Sequence, residues 1–385
     1  MRYTARSIIR RPGAMIQRPF IGVRIFIALT VITLPGIFLL GHAAKTHHTP
    51  AELRAAALMG DACSLVRSER YAGGWRPDVS VDPNRTGMIG EEYGPYTTSI
   101  GEIQAKRTST DPSMAMLMVR LFEEVGAQEG DAVAVGASGS FPALLVATLA
   151  AARSLGLRPL VAASVGASQW GANAEDYNMI DLLGWLKSSH VSGFDVIGLT
   201  LGGEGDRGSG FDPELRDDLA QKIKDAGFPF WTSPTIRGSV RERAERFDAA
   251  LGARRLACYV NIGGNVANMG VGLDVLALRP GITSPDWRNV PRNDWGVLHE
   301  MAARGIPTIH LLYMKGLVTH YALPWDPSPL TDPEGLETQT QDHGNILPYA
   351  AIAYLILFLA VLAIGRISKK KGRIVPSDSV APPTH

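Results

Sequence analysis

The feature that most restricts the fold is an alternation between residues 131 and 312. A short apolar run ending in glycine or small residues is followed by a helical stretch, and the pattern recurs. DAVAVGASGS leads into FPALLVATLAAARSLG, and RPLVAASVGAS is the next apolar run. GFDVIGLTLGGEGDRG precedes DPELRDDLAQKIKDAG, with Asp212 at the cap position, Pro213 at the first helical position and Gly227 past the end. RRLACYVNIGGN is a fourth run, and NDWGVLHEMAARG followed by IPTIHLLYM supplies a helix and a fifth. Short apolar runs without polar alternation are strands buried on both faces, as in parallel sheets covered by helices. The expected fold is α/β: a mostly parallel sheet with helices on both faces, a Rossmann-like three-layer arrangement.

Upstream, TPAELRAAALMGDACSLVRSER opens with Thr49, Pro50 and Glu52, a capping box with proline at the first helical position. The stretch WRPDVSVDPNRTGMIGEEYGPYTTSIGEIQAKRTST is too rich in Gly, Pro and Thr for regular structure. A helix is expected from Asp111-Pro112 to Gly126, with Met114, Met116 and Met118 as core packing. DPSPLTDPEGLETQTQDHG reads as an exposed linker.

The near-neutral formal charge of +1 hides an asymmetry. Residues 1–44 carry six arginines and no acid, and residues 346–385 carry five basic residues and one acid. The middle holds 27 basic against 36 acidic residues, a net of −9. The basic ends flank IFIALTVITLPGIFLLG and ILPYAAIAYLILFLAVLAIG; the second has the length and apolarity of a membrane-spanning helix. The first contains Pro35 and is an anchor or a signal peptide, with GHA before Ala44 as the cleavage site. The positive-inside bias keeps both basic ends cytoplasmic and puts the middle outside. The expected plan is a basic leader (1–24), an N-terminal transmembrane helix (25–44), an extracytoplasmic α/β domain (45–315), a linker (316–345), a C-terminal transmembrane helix (346–365) and a basic tail (366–385). Such a chain sits in the cytoplasmic membrane, and no nucleic-acid partner is expected. Cys63 and Cys258 fall in the outer domain, as a disulfide or as buried free thiols.

In an open parallel sheet, ligands bind outside the carboxyl ends of the strands. Four of the runs end in GASGS, VGASQWGAN, LGGEGDRG and NIGGN, turns that expose backbone N–H groups. Candidate anion-binding residues in them are Gly139, Ser168, Asn173, Arg207, Asn261 and Asn265. Lys106, Arg107, Thr108 and Ser109, just before a helix start, form a second candidate cradle or a solvated capping segment. Glu204 and Asp206 are candidate ligands of a divalent cation, or a polar frame. Ser138 and Ser140 are candidate nucleophiles, but GASGS departs from GxSxG because Ser140 replaces the last glycine. His190, His299, His310 and His320 are scattered, so no activating partner is evident, and the turn lacks a Walker lysine. DPNRTGMIGEEY has Asp82, Asn84 and Gly87 in calcium-loop positions, but Tyr93 stands where the bidentate acid belongs, so calcium is rejected. Gln169 and Trp170 suit a saccharide or peptide backbone, or Trp170 is packing.

Taken together, GEEYGPYTTSIGEIQAKRTSTDP, GASGSFPAL, SVGASQWGAN, GGEGDRG and NIGGN resemble the poly-γ-glutamate system protein family. The resemblance covers most of residues 45–315. It implies a membrane-anchored component of bacterial poly-γ-glutamate synthesis or export, and it supplies no residue roles. The expected partners are the polymer or its γ-glutamyl ends and other membrane components of that machinery. Lys106, Arg107 and Arg207 would read carboxylates locally, because a net charge of −9 opposes long-range attraction to a polyanion. Alternatives are a γ-glutamyl amide hydrolase or transferase, acting through serine or metal-activated water, and a scaffold whose glycines only permit tight packing.

Overall fold

Thr49 starts the first helix, α1 (Pro50–Ala72): its hydroxyl accepts from Glu52 N at 3.2 Å, and Thr49 N donates to the Glu52 carboxylate at 2.7 Å. This computed structural model describes residues 48–333 and 335. After α1 come β1 (Thr97–Ser99), α2 (Ile103–Ser109) and α3 (Ser113–Glu124). The alternating region then supplies β2 (Ala132–Ser138), α4 (Pro142–Ser154), β3 (Arg158–Ser164), β4 (Ala167–Ser168), β5 (Asn173–Ala174), β6 (Tyr177–Asn178) and α5 (Met179–Lys187). It continues with β7 (Asp195–Thr200), α6 (Pro213–Asp225), α7 (Ile236–Leu251), β8 (Leu256–Ile262), α8 (Val266–Met269), β9 (Gly281–Thr283), α9 (Val297–Ala303), β10 (Thr308–Leu311) and α10 (Met314–Tyr321).

The main sheet has six strands in the order β7-β3-β2-β8-β10-β9. Every pairing is parallel except the edge strand β9, which runs antiparallel to β10. The fold is α/β with a mostly parallel sheet. Side chains alternate across it with the period of two that strand geometry dictates. Val133, Val135, Ala137, Val161, Ala163, Val260 and Ile262 face one apolar layer, completed by α1, α3, α4 and α5. Ala132, Ala134, Leu160, Ala162 and Tyr259 face the other, completed by Val240 and Phe247 of α7 and by Val297, Leu298 and Met301 of α9.

Some expectations need correcting. Helix α2 lies inside the stretch expected to be irregular, where Ala105 and Lys106 bury against the core. Helices α5 and α7 were not anticipated; α7 is rich in Arg and Glu, and its apolar Val240, Ala244 and Phe247 follow helical spacing. Asp212 occupies the cap position of α6 without a side-chain cap bond. The expected linker begins as helix α10, with Leu317 and Val318 buried. Beyond it, Asp326 pairs with Arg107 and Thr331 N donates to Asp111 at 2.8 Å. The packed unit therefore continues past residue 315.

The basic ends and both expected membrane segments, residues 25–44 and 346–365, lie outside the described residues. Among the described residues no helix is long and apolar enough to cross a membrane. Cys63 and Cys258 are both buried free thiols, and burial pushes each up to about 12.

Candidate functional site

From β2 the chain moves one way to β3 and β7, then returns to β8 on the other side of β2. The order reverses between β2 and β8, so the loops leaving these neighbours diverge and open a crevice. A cleft of about 480 Å³ lies there. Its walls come from all five stretches singled out in the sequence: Thr98 to Glu102 with Lys106, then Ser138 with Ser140, then Ser168, then Gly203 with Glu204, and then Gly264 with Asn265. Leu312, Tyr313, Met314 and Lys315, where β10 passes into α10, close the remaining side. These last residues escaped the sequence reading. The signal was present, because LLYMKG follows the fifth strand and obeys the same carboxyl-end rule.

Lys106 is the buried cation of this cleft. It is 2% exposed, its ammonium nitrogen donates to the Ser140 carbonyl and lies 2.6 Å from Ser168 Oγ, and it sits 3.7 Å above the centroid of the Phe141 ring. Burial pulls its pKa down to about 7, because the charged form loses its hydration. Those three contacts include no carboxylate to offset that loss. Ser168 is held from two sides: β4 pairs with β1, and Ser168 N donates to Ser140 Oγ at 3.0 Å. Of the expected nucleophiles, Ser140 presents its carbonyl to Lys106. Ser138 makes only long contacts, 3.5 Å to Ile262 O and 3.4 Å from Ser140 N.

Of the two readings of the loop LGGEGDRG, a cation site or a polar frame, the geometry around Asp206 is that of a frame. Gly202, Gly203, Gly205 and Gly208 have φ of 75°, 67°, 68° and 65°, and Asp206 joins them at 60°. This left-handed winding, which glycine adopts without steric cost, turns Asp206 into the interior. There its carboxylate meets Arg243 of α7 at 2.6 Å and accepts from Thr200 Oγ1 at 2.8 Å, from Asn265 Nδ2 at 2.9 Å and from Ser239. Both side chains of the ion pair are fully buried. The pairing of Glu204 with Asp206 around a cation is therefore not formed: Glu204 lines the cleft and Asp206 locks the loop to α7. Arg207 is exposed and lies outside the cleft lining. Among the described residues no group of three or more His, Cys, Asp or Glu is placed to hold a metal ion.

Other expected site residues serve the frame. Arg107 points away to Asp326, with Nε 2.7 Å from the carboxylate, and Thr108 Oγ1 accepts from Asp326 N at 2.9 Å. Ser109 Oγ donates to Lys106 O at 2.6 Å. Asn173 bridges Glu91 O and Thr97 Oγ1. Asn261 donates to Gly263 O at 3.0 Å and lies 2.9 Å from Nδ1 of His310, whose pKa burial lowers to about 4. That imidazole is neutral near pH 7, so Nδ1 is free to accept. Asn265 lines the cleft, but its amide is engaged by Ser164 and Asp206. Gly139 is a close-approach position, since a Cβ there would lie 2.7 Å from Val165 O.

Comparison of the whole chain with protein-family models, curated proteins and solved structures finds no match.

Proposed function

We propose that this chain is an accessory membrane component of poly-γ-glutamate synthesis or export, and that its switch-point cleft binds a γ-glutamyl chain end outside the cytoplasmic membrane. The observation that carries this reading is the convergence of the five stretches that resemble the poly-γ-glutamate system family on one cleft. A γ-glutamyl unit has an α-carboxylate, two methylenes and an amide. Exposed Lys315 at the cleft supplies a charge-assisted donor for the carboxylate. Phe141 and Leu312 offer apolar contact for the methylenes, and the serine hydroxyls offer partners for the amide. Glu102 and Glu204 line the same cleft, and the middle of the chain carries a net of −9, so a long polyanion is repelled where a single end is accommodated. Apolar segments 25–44 and 346–365, with their basic flanks, would hold the domain at the membrane beside the other components of the machinery.

Calorimetric titration of the full-length chain with γ-linked triglutamate, against the α-linked isomer, tests this reading. The γ-linked ligand is expected to bind, and Lys315→Ala to weaken it about tenfold, the worth of one charge-assisted contact. Equal affinity for both isomers, or none for either, would sink it.

A further inference from the structure

We infer that Ser168 and Lys106 form a nucleophile–base pair for acyl transfer in the cleft, acting on an amide whose acyl group is γ-glutamyl; that choice of acyl group rests on the reading above, whereas the pair itself does not.

Ser168 is the cleft serine whose hydroxyl lies within hydrogen-bond reach of a base, 2.6 Å from Lys106 Nζ. It is 6% exposed, yet it lines the cleft, so a small substrate reaches it while bulk water is largely displaced. A neutral lysine amine has two hydrogens and one lone pair. Two donations, to the Ser140 carbonyl and toward the Phe141 ring, leave the lone pair for the Ser168 O–H. The surroundings thus suit an amine that accepts the hydroxyl proton, and burial keeps about half of the lysine neutral at pH 7. The other titratable groups lining the cleft are Glu102, Glu204, Tyr313 and Lys315, and neighbouring Arg107 is turned to Asp326. None of them is among the polar contacts of Lys106 Nζ. The GxSxG-like spacing at Ser138 and Ser140 gives no sign of Ser168, which lies on β4, a two-residue strand, and is brought to Lys106 by pairing with β1.

In the first half-reaction the Ser168 O–H proton passes to Lys106 Nζ as Oγ bonds to the amide carbonyl carbon. The C–N bond then breaks, and Lys106 returns that proton to the leaving amine. In the second, water or another amine attacks the acyl-serine ester, its proton passes to Lys106 and then to Ser168 Oγ as the ester bond breaks. Water yields hydrolysis and an amine yields transfer, with no redox partner in either case.

The test uses the full-length chain and two probes. A fluorophosphonate, which carries no glutamyl group, reports the pair alone: Ser168 Oγ bonds to phosphorus and fluoride leaves. A single adduct is expected, mapped to Ser168 by peptide mass spectrometry, forming faster as pH rises through about 7. Lys106→Met and Lys106→Arg are each expected to slow labelling at least ~100-fold, the low end for a general base, while thermal melts show the fold retained. No adduct, an adduct elsewhere, or an unchanged rate in folded Lys106→Met overturns the pair. The second probe is a γ-glutamyl anilide. Its turnover, lost in Ser168→Ala, supports the acyl group; Ser168 labelling without turnover overturns that assignment and leaves the pair standing.

Discussion

At the residue scale, the most consequential placement is that of Lys106. A lysine folded into an apolar wall with no carboxylate against its ammonium destabilises the native state while it is charged. Its folded pKa, about 7, lies below its ordinary 10.5, so between these values the unfolded chain binds more protons and stability rises with pH. Wild type relative to Lys106→Met should therefore gain about 1.5 kcal/mol between roughly pH 7 and 8.5, measured by urea denaturation at each pH. The difference goes on widening until the pH nears the ordinary lysine value of 10.5, and the buried thiols of Cys63 and Cys258, present in both proteins, cancel from it. A pH-independent difference between the two proteins would show that Lys106 keeps an ordinary pKa. Ser168 gains its interest from this neighbour; its own local sequence carries no nucleophile pattern.

At the element scale, the glycine-rich loop after β7 and the helix α7 act as one unit. Asp206 is delivered inward by the loop, and Arg243 is delivered by α7 one turn beyond Ser239, with Thr200 of β7 completing the network. Removing one member of a buried pair leaves an uncompensated charge, so Arg243→Met should cost about 3–5 kcal/mol of unfolding free energy. The double variant Arg243→Met with Asp206→Leu should recover part of that loss, since no lone charge remains. A double variant as unstable as the sum of the single ones would mean that the pair is not coupled. The same network positions Glu204 at the cleft, because the turn that buries Asp206 also fixes its neighbours.

At the scale of the whole molecule, the sheet centre is the most protected region. β2 is paired on both sides, by β3 and β8, and all of its residues are buried. Hydrogen exchange followed by mass spectrometry should find the amides of β2, β3 and β8 slowest, and those of the loop 284–294 among the fastest. Comparable exchange in both would contradict this layering. The cleft borders this protected centre, lined by Ser138 at the end of β2, by Gly264 and Asn265 just past β8, and by the turn into α10.

The sequence by itself determined the alternation, and with it the mostly parallel sheet, its two covered faces and the carboxyl edge as the place of the cleft. Those follow from local periodicity and glycine punctuation, which each segment carries alone. The capping of α1 was legible for the same reason. The pairing of Lys106 with Ser168, the inward turn of Asp206 toward Arg243 and the docking of Asp326 on Arg107 were not, because each joins residues separated by 62, 37 and 219 positions. Charge type was visible in LGGEGDRG, but the direction of each side chain depends on left-handed backbone and on a helix that arrives later in the chain. Only the tertiary structure decides which charges meet a partner inside and which remain for a ligand, because burial and proximity are properties of the packed whole.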